Sequence, residues 1–222
     1  MTTVNIEKDF LCHNAGRHFV ALTYRLRKDK EVRHGYASCF VVTLGGEWFL
    51  LTAGHWLRHE ESGLQRCIDA GYRIDKIALA DVFAGQRTDS PLPFTFQLDD
   101  WMAIYDDAAG FDFAALPIHP FHRRGLESAG VSAIELHAIA PAEFDDDSQL
   151  VLVGVPAETV RKAGADTQME LALVPLSPYT GDAFPIKGNT VLAQMPQQTA
   201  ESKHRINNVL GMSGGPVFRV GR

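Results

Sequence analysis

The run Tyr36-Ala37-Ser38-Cys39-Phe40-Val41-Val42-Thr43-Leu44, then Gly45-Gly46, then Glu47-Trp48-Phe49-Leu50-Leu51-Thr52, decides the fold. Both arms are rich in β-branched, aromatic and aliphatic residues and are of strand length. A Gly-Gly pair supplies the positive φ angles that a two-residue hairpin turn demands, so the arms are expected to pair antiparallel. Runs of the same kind read at His18 to Leu26, Lys76 to Phe83, Phe94 to Leu98, Trp101 to Tyr105 and Phe111 to Ile118. A second series reads at Ile134 to Ile139, Gln149 to Val155, Met169 to Val174, Thr190 to Gln194 and Pro216 to Val220. Gly, Pro or Asp separates them, which predicts an all-β chain. Arg25, Arg27, Lys28 and Lys30, with acids between them, read as the solvated face of a hairpin. The stretch Phe121 to Gly130 follows Pro117 and Pro120 and reads as a short helix or linker between halves. The expected division is residues 1–118, a linker at 119–132, and residues 133–222.

The hairpin's second arm runs on into Ala53-Gly54-His55, so an apolar strand delivers a histidine to its terminus, where catalytic groups usually sit. Downstream, Gly211-Met212-Ser213-Gly214-Gly215-Pro216 holds a serine between glycines. Glycine allows close backbone approach and dihedrals that a Cβ forbids, so consecutive N–H groups can converge on a developing oxyanion. A serine hydroxyl near its free pKa is a poor nucleophile and needs an imidazole base, whose tautomer a carboxylate must fix. Asp112, alone among the apolar residues of Gly110-Phe111-Asp112-Phe113-Ala114-Ala115-Leu116, is a charge that needs a partner. Blander readings stand beside these: a structural turn for Ser213, and a satisfied histidine at a helix start for His55. His59 completes a His-x-x-x-His spacing that could hold zinc, but Trp56 stands where a metallopeptidase needs its glutamate base, so no metal is expected. Asp106 and Asp107 read as a solvated turn, and Asp145-Asp146-Asp147 as a loop.

Taken together, the three segments resemble the trypsin-like, chymotrypsin-fold serine peptidases in the order His, Asp, Ser. Thr52-Ala53-Gly54-His55 is similar to that family's Thr-Ala-(Ala/Gly)-His, Phe111-Asp112-Phe113-Ala114-Ala115-Leu116 to its Asp-(Ile/Phe)-Ala-x-Leu, and Gly211 to Pro216 to its Gly-x-Ser-Gly-Gly-Pro. Ser38-Cys39-Phe40-Val41-Val42 resembles the strand before the histidine segment. The resemblance implies two antiparallel six-stranded β-barrels packed face to face with the site in the cleft. It implies a peptidase acting through an acyl-enzyme on a protein or peptide substrate, with His55, Asp112 and Ser213 as the triad. The Gly211 and Ser213 N–H groups would form the oxyanion hole, and Asn207 and Asn208 would lie at the floor of the primary pocket. An uncharged floor argues against an Arg/Lys preference. Met212 stands where zymogens of the family carry aspartate, so activation by N-terminal cleavage is not expected, and the chain looks closer to the bacterial and HtrA-type branches. The alternative is a peptide-binding or regulatory module with the fold and little turnover. An esterase on another fold is a third reading, but the chain order Ser, Asp, His and the Gly-x-Ser-x-Gly elbow of that class are missing.

The 222 residues suffice for one large β domain or two small barrels, and 45% hydrophobic with 22% charged content excludes a disordered chain. A net charge of −6 without a basic stripe argues against a nucleic-acid partner. No apolar run approaches the ~20 residues of a membrane helix, and no cofactor is implied. The three cysteines Cys12, Cys39 and Cys67 are odd in number and widely spaced, and Trp56 occupies the place of the disulfide cysteine that follows the histidine in secreted members. Free thiols and, with no signal-like segment at Met1 to Asp9, a cytoplasmic location are the expectation. From Gly214 to Arg222 the chain covers about one strand at ~3.3 Å per residue. The second barrel is therefore expected to be incomplete at its C-terminus, its gap filled by a missing segment or a partner chain.

Overall fold

A computed structural model of the chain describes residues 14–58, 64–80, 92–106, 108–140, 148–163, 166–181, 193–195, 206 and 210–221. Among the described residues the strands fall into two main sheets. The first contains β1 (Phe19–Lys28), β2 (Glu31–Leu44), β3 (Glu47–Thr52), β4 (Arg73–Ala80), β5 (Leu92–Pro93), β6 (Met102–Asp106) and β7 (Phe111–Pro117). They are antiparallel neighbours in the order β5-β4-β1-β2-β3-β7-β6, and β8 (Ile134–Glu135) adds to β2 in parallel. The second contains β9 (Ser148–Gly154), and after a separate hairpin of β10 (Arg161–Ala163) and β11 (Asp166–Gln168), β12 (Ala172–Pro178), β13 (Ala193–Gln194) and β14 (Val217–Gly221). Its order is β13-β12-β9-β14, all antiparallel. The chain is thus all-β with two antiparallel sheets, and neither closes into a barrel within the described residues.

The Gly-Gly hairpin forms as its sequence demands. Gly45 and Gly46 take φ of 61° and 86°, and pairing runs from Leu44↔Glu47 to Phe40↔Leu51. Because successive strand side chains point to opposite faces, β2 separates two environments. Ala37, Cys39 and Val41 join the core of the first sheet with Val20, Leu22, Leu26, Trp48, Leu50, Ala114 and Leu116. Tyr36, Ser38 and Phe40 lie on the opposite face, opposite Thr23, Ala21 and Phe19 of β1. There Phe19 and Ala21 pack with Val153 and Val155 of the second half. The β1–β2 ribbon is therefore the seam between the two sheets, covered on both faces.

Other expectations shift in detail. Phe94 to Leu98 is not a strand: after the two-residue β5, Phe94 and Phe96 are buried, and Phe96 meets Trp101 edge-on at 5.5 Å. Their apolar alternation fills the core, and Asp100 turns the chain there by accepting from Gln97 N–H. Ile134 to Ile139 is extended only at β8 before a single 3-10 turn, Leu136–Ala138. Met169 and Leu171 pack against the seam, so the pairing expected from Met169 begins only at Ala172. The basic cluster does face solvent on a hairpin, where Arg25 and Arg27 both bond Asp75 of β4. The expected helix spans Pro120–Ser128. Proline opens it, His119 Nδ1 accepts from Phe121 N–H at 3.2 Å, and Gly130 follows with φ of 87°.

Candidate active site

His55 opens a one-turn helix, His55–Arg58, directly after β3. The next residue, Trp56, anchors it. Its indole packs edge-on to Trp101 at 5.7 Å, tilts against Tyr24 at 5.7 Å, and donates to the Tyr24 hydroxyl at 3.4 Å. An aromatic cluster thus ties down the segment that carries His55. Gly54 brings the partner strand in: a Cβ there would lie 2.5 Å from Ile104 O and 2.8 Å from Phe113 O. Only a glycine admits β6 and β7 at that distance, and β7 carries Asp112.

Asp112 grips His55 at two points. Oδ2 lies 2.6 Å from Nδ1, and Oδ1 accepts the main-chain N–H of His55 at 2.7 Å. A carboxylate only accepts, so the proton sits on Nδ1 and the Nε2 lone pair is left free in the neutral ring. The bond to Asp112 raises the His55 pKa above its ordinary value, against burial, which lowers it. For Asp112, burial favours the neutral acid, but the bonds from the His55 ring and from the main chain of His55 and Gly54 outweigh it and lower its pKa. These shifts set a stability window. The raised histidine contributes below its unfolded-state pKa, and that contribution is lost as pH rises through the folded value. The depressed aspartate contributes above its unfolded-state pKa and loses that contribution as pH falls through its folded value. A general base must be neutral, so the ascending limb of a kcat/KM profile against pH is expected above the ordinary histidine value. In Asp112→Asn it should move to lower pH, and an unmoved limb would show that Asp112 does not set the titration.

Ser213 comes from the segment that enters β14, and it is exposed. Gly215 N–H donates to Met212 O at 2.9 Å, closing a four-residue turn with Ser213 second and Gly214, at φ of 85°, third. That position requires positive φ in a type II turn. Gly214 also abuts the strand that leads to His55: a Cβ there would lie 2.5 Å from both Ala53 N and Thr52 Oγ1. Backbone contact therefore joins the serine turn to the histidine strand. Among the described residues no hydrogen bond links Ser213 to His55, and none takes the N–H of Gly211 or Ser213. Gly214→Ala is expected to lose about 1–3 kcal/mol from the φ alone, with further loss from the overlap. A melting temperature several degrees lower would show it, and an unchanged one would contradict this packing.

Met212 is buried against Ala172 and Val174, with its Cβ 2.9 Å from where a Cβ on Gly154 would stand. It anchors the turn from below while Ser213 faces outward. Asp106 does not compete for the imidazole, because its Oδ1 accepts the N–H groups of Ala108 and Ala109 in its own turn. Cys39 and Cys67 are free, and burial pushes the Cys39 thiol up to about 12. Asn207 and Asn208, His59, Asp107, Asp145 to Asp147 and Cys12 lie outside the described residues. Among the described residues no group of three or more His, Cys, Asp or Glu side chains could hold a metal, and no helix is long and apolar enough to cross a membrane. Sequence reading missed the roles of Gly54 and Ser38.

No protein-family model matches the chain, and no curated protein matches it. Among solved structures the chain is similar to a thermostable serine protease from an extremophilic microorganism, at 13% identity and a TM-score of 0.41, over 95% of this chain and 81% of that one.

Proposed function

We propose that this chain is a serine endopeptidase of the trypsin-like kind. The observation that carries the reading is the two-point grip of Asp112 on His55, beside a glycine-bounded serine turn with unengaged N–H groups. In this reading Ser213 Oγ attacks the scissile carbonyl while His55 Nε2 takes its proton. The same proton then passes to the leaving amine, and the acyl-enzyme is released by water activated in the same way. Asp112 holds the tautomer and stabilises the imidazolium without itself becoming protonated. The N–H groups of Gly211 and Ser213 receive the oxyanion, each worth roughly 2.7–4 kcal/mol in such a hole. Hydrogen bonds between base and nucleophile are often long without substrate and tighten in the complex, which accommodates the missing Ser213 to His55 bond.

That missing bond is also what favours the second reading, a peptide-binding module with little turnover. A fluorophosphonate probe decides between them. The peptidase reading expects one adduct, mapped by mass spectrometry to Ser213, and cleavage of members of a random peptide library. Binding of peptides with neither adduct nor cleavage would establish the module instead.

A further inference from the structure

Three alternate N–H groups run along the end of β9 and the residues after it. Val153 N–H donates to Pro216 O at 3.0 Å and Ala157 N–H to Leu210 O at 2.7 Å, so the serine segment is pinned at both ends as if by a strand ladder. Between those rungs the segment bulges away to form the serine turn. The middle donor, Val155 N–H, would be orphaned there. Ser38, on β2 of the other sheet, fills the gap: its Oγ accepts from Val155 N–H at 3.1 Å and donates to Gly211 O at 2.8 Å. It is a polar side chain with 0% exposure, and its own carbonyl is held by Thr52 Oγ1 at 2.8 Å.

The consequence lies in the peptide planes. In a trans peptide the C=O and the following N–H point in opposite directions. Holding Leu210 O therefore aims the Gly211 N–H, and holding Met212 O in the turn aims the Ser213 N–H. The Gly211–Met212 peptide lies between these two, and the angle between the outer N–H groups depends on it. Gly211, at φ of 88°, imposes little torsional preference of its own. Ser38 supplies the restraint that glycine lacks.

Resting on the peptidase reading above, we propose that Ser38 is a positioning residue for the oxyanion hole, fixing the middle peptide through the Gly211 carbonyl. Its substitution weakens binding of tetrahedral species and leaves ground-state substrate binding alone. The test uses the full chain, with the best-cleaved peptide from the library as substrate and phenylboronic acid as tetrahedral probe. Ser38→Ala is expected to lower kcat by about 10- to 100-fold with KM unchanged, to weaken phenylboronic acid inhibition in parallel, and to leave the His55 limb of the pH profile in place. Should Ser38→Ala not fold, Ser38→Cys keeps the volume with a weaker donor and carries the same pattern at smaller amplitude. A folding-only role would reduce active protein without moving the inhibition constant, and that result overturns the proposal, as does unchanged kcat in either variant. A wild-type chain that is neither labelled at Ser213 nor active overturns the peptidase reading and this inference together. Labelled, active wild type with an indifferent Ser38→Ala overturns this inference alone.

Discussion

Ser213→Ala and His55→Ala are each expected to remove turnover to nearly the same extent, on the order of 10⁶-fold in kcat, and the double variant to be no worse than either alone. Without Oγ there is no acyl-enzyme. Without Nε2 there is no acceptor for the Oγ proton, so the two losses describe one event and do not add. Both side chains are solvent-accessible, with the His55 side chain 33% exposed. Neither truncation opens a core cavity, so the melting temperature of Ser213→Ala should change little and that of His55→Ala should fall only by the contribution of its bond to Asp112. Progress curves on a library-selected peptide, with thermal melts of the same preparations, check this. Comparable activity in Ser213→Ala would remove the serine from the mechanism.

Asp112→Asn is expected to cost about 10⁴-fold in kcat, and the two-point geometry says why. One oxygen must still accept the His55 main-chain N–H, at 2.7 Å in the wild type. With the amide oxygen committed there, the NH2 group faces Nδ1 and donates to it. The ring proton is driven to Nε2, which can no longer act as base. Asp106→Asn should be almost silent, since among the described residues Asp106 accepts only from the N–H groups of its own turn. If kinetics ranked the two variants the other way round, Asp112 would not be the orienting carboxylate.

The same distinction between local and distant causes governs what could be read in advance. The Gly45-Gly46 hairpin was legible because a turn's dihedral demand and the flanking alternation are local. Phe94 and Phe96 misled because burial of two aromatics follows the same period as a half-buried strand, and periodicity cannot tell pairing from packing. Ser38 carried no local sign of its task, since a buried serine is explained only by the groups it meets 117 and 173 residues away.

The sequence by itself determined the β class, the turns at positive-φ glycines, and a histidine, a lone aspartate and a glycine-flanked serine in their order along the chain. These follow from side-chain type and short-range backbone sterics. Only the tertiary structure decided that Asp112 meets His55 at two atoms, that Gly54 admits β7 close enough to allow it, and that a hydroxyl from one sheet completes the hydrogen bonding of a turn in the other. Those contacts depend on sheet register and on how the two sheets meet at the β1–β2 seam, and both are set by the summed burial of many side chains.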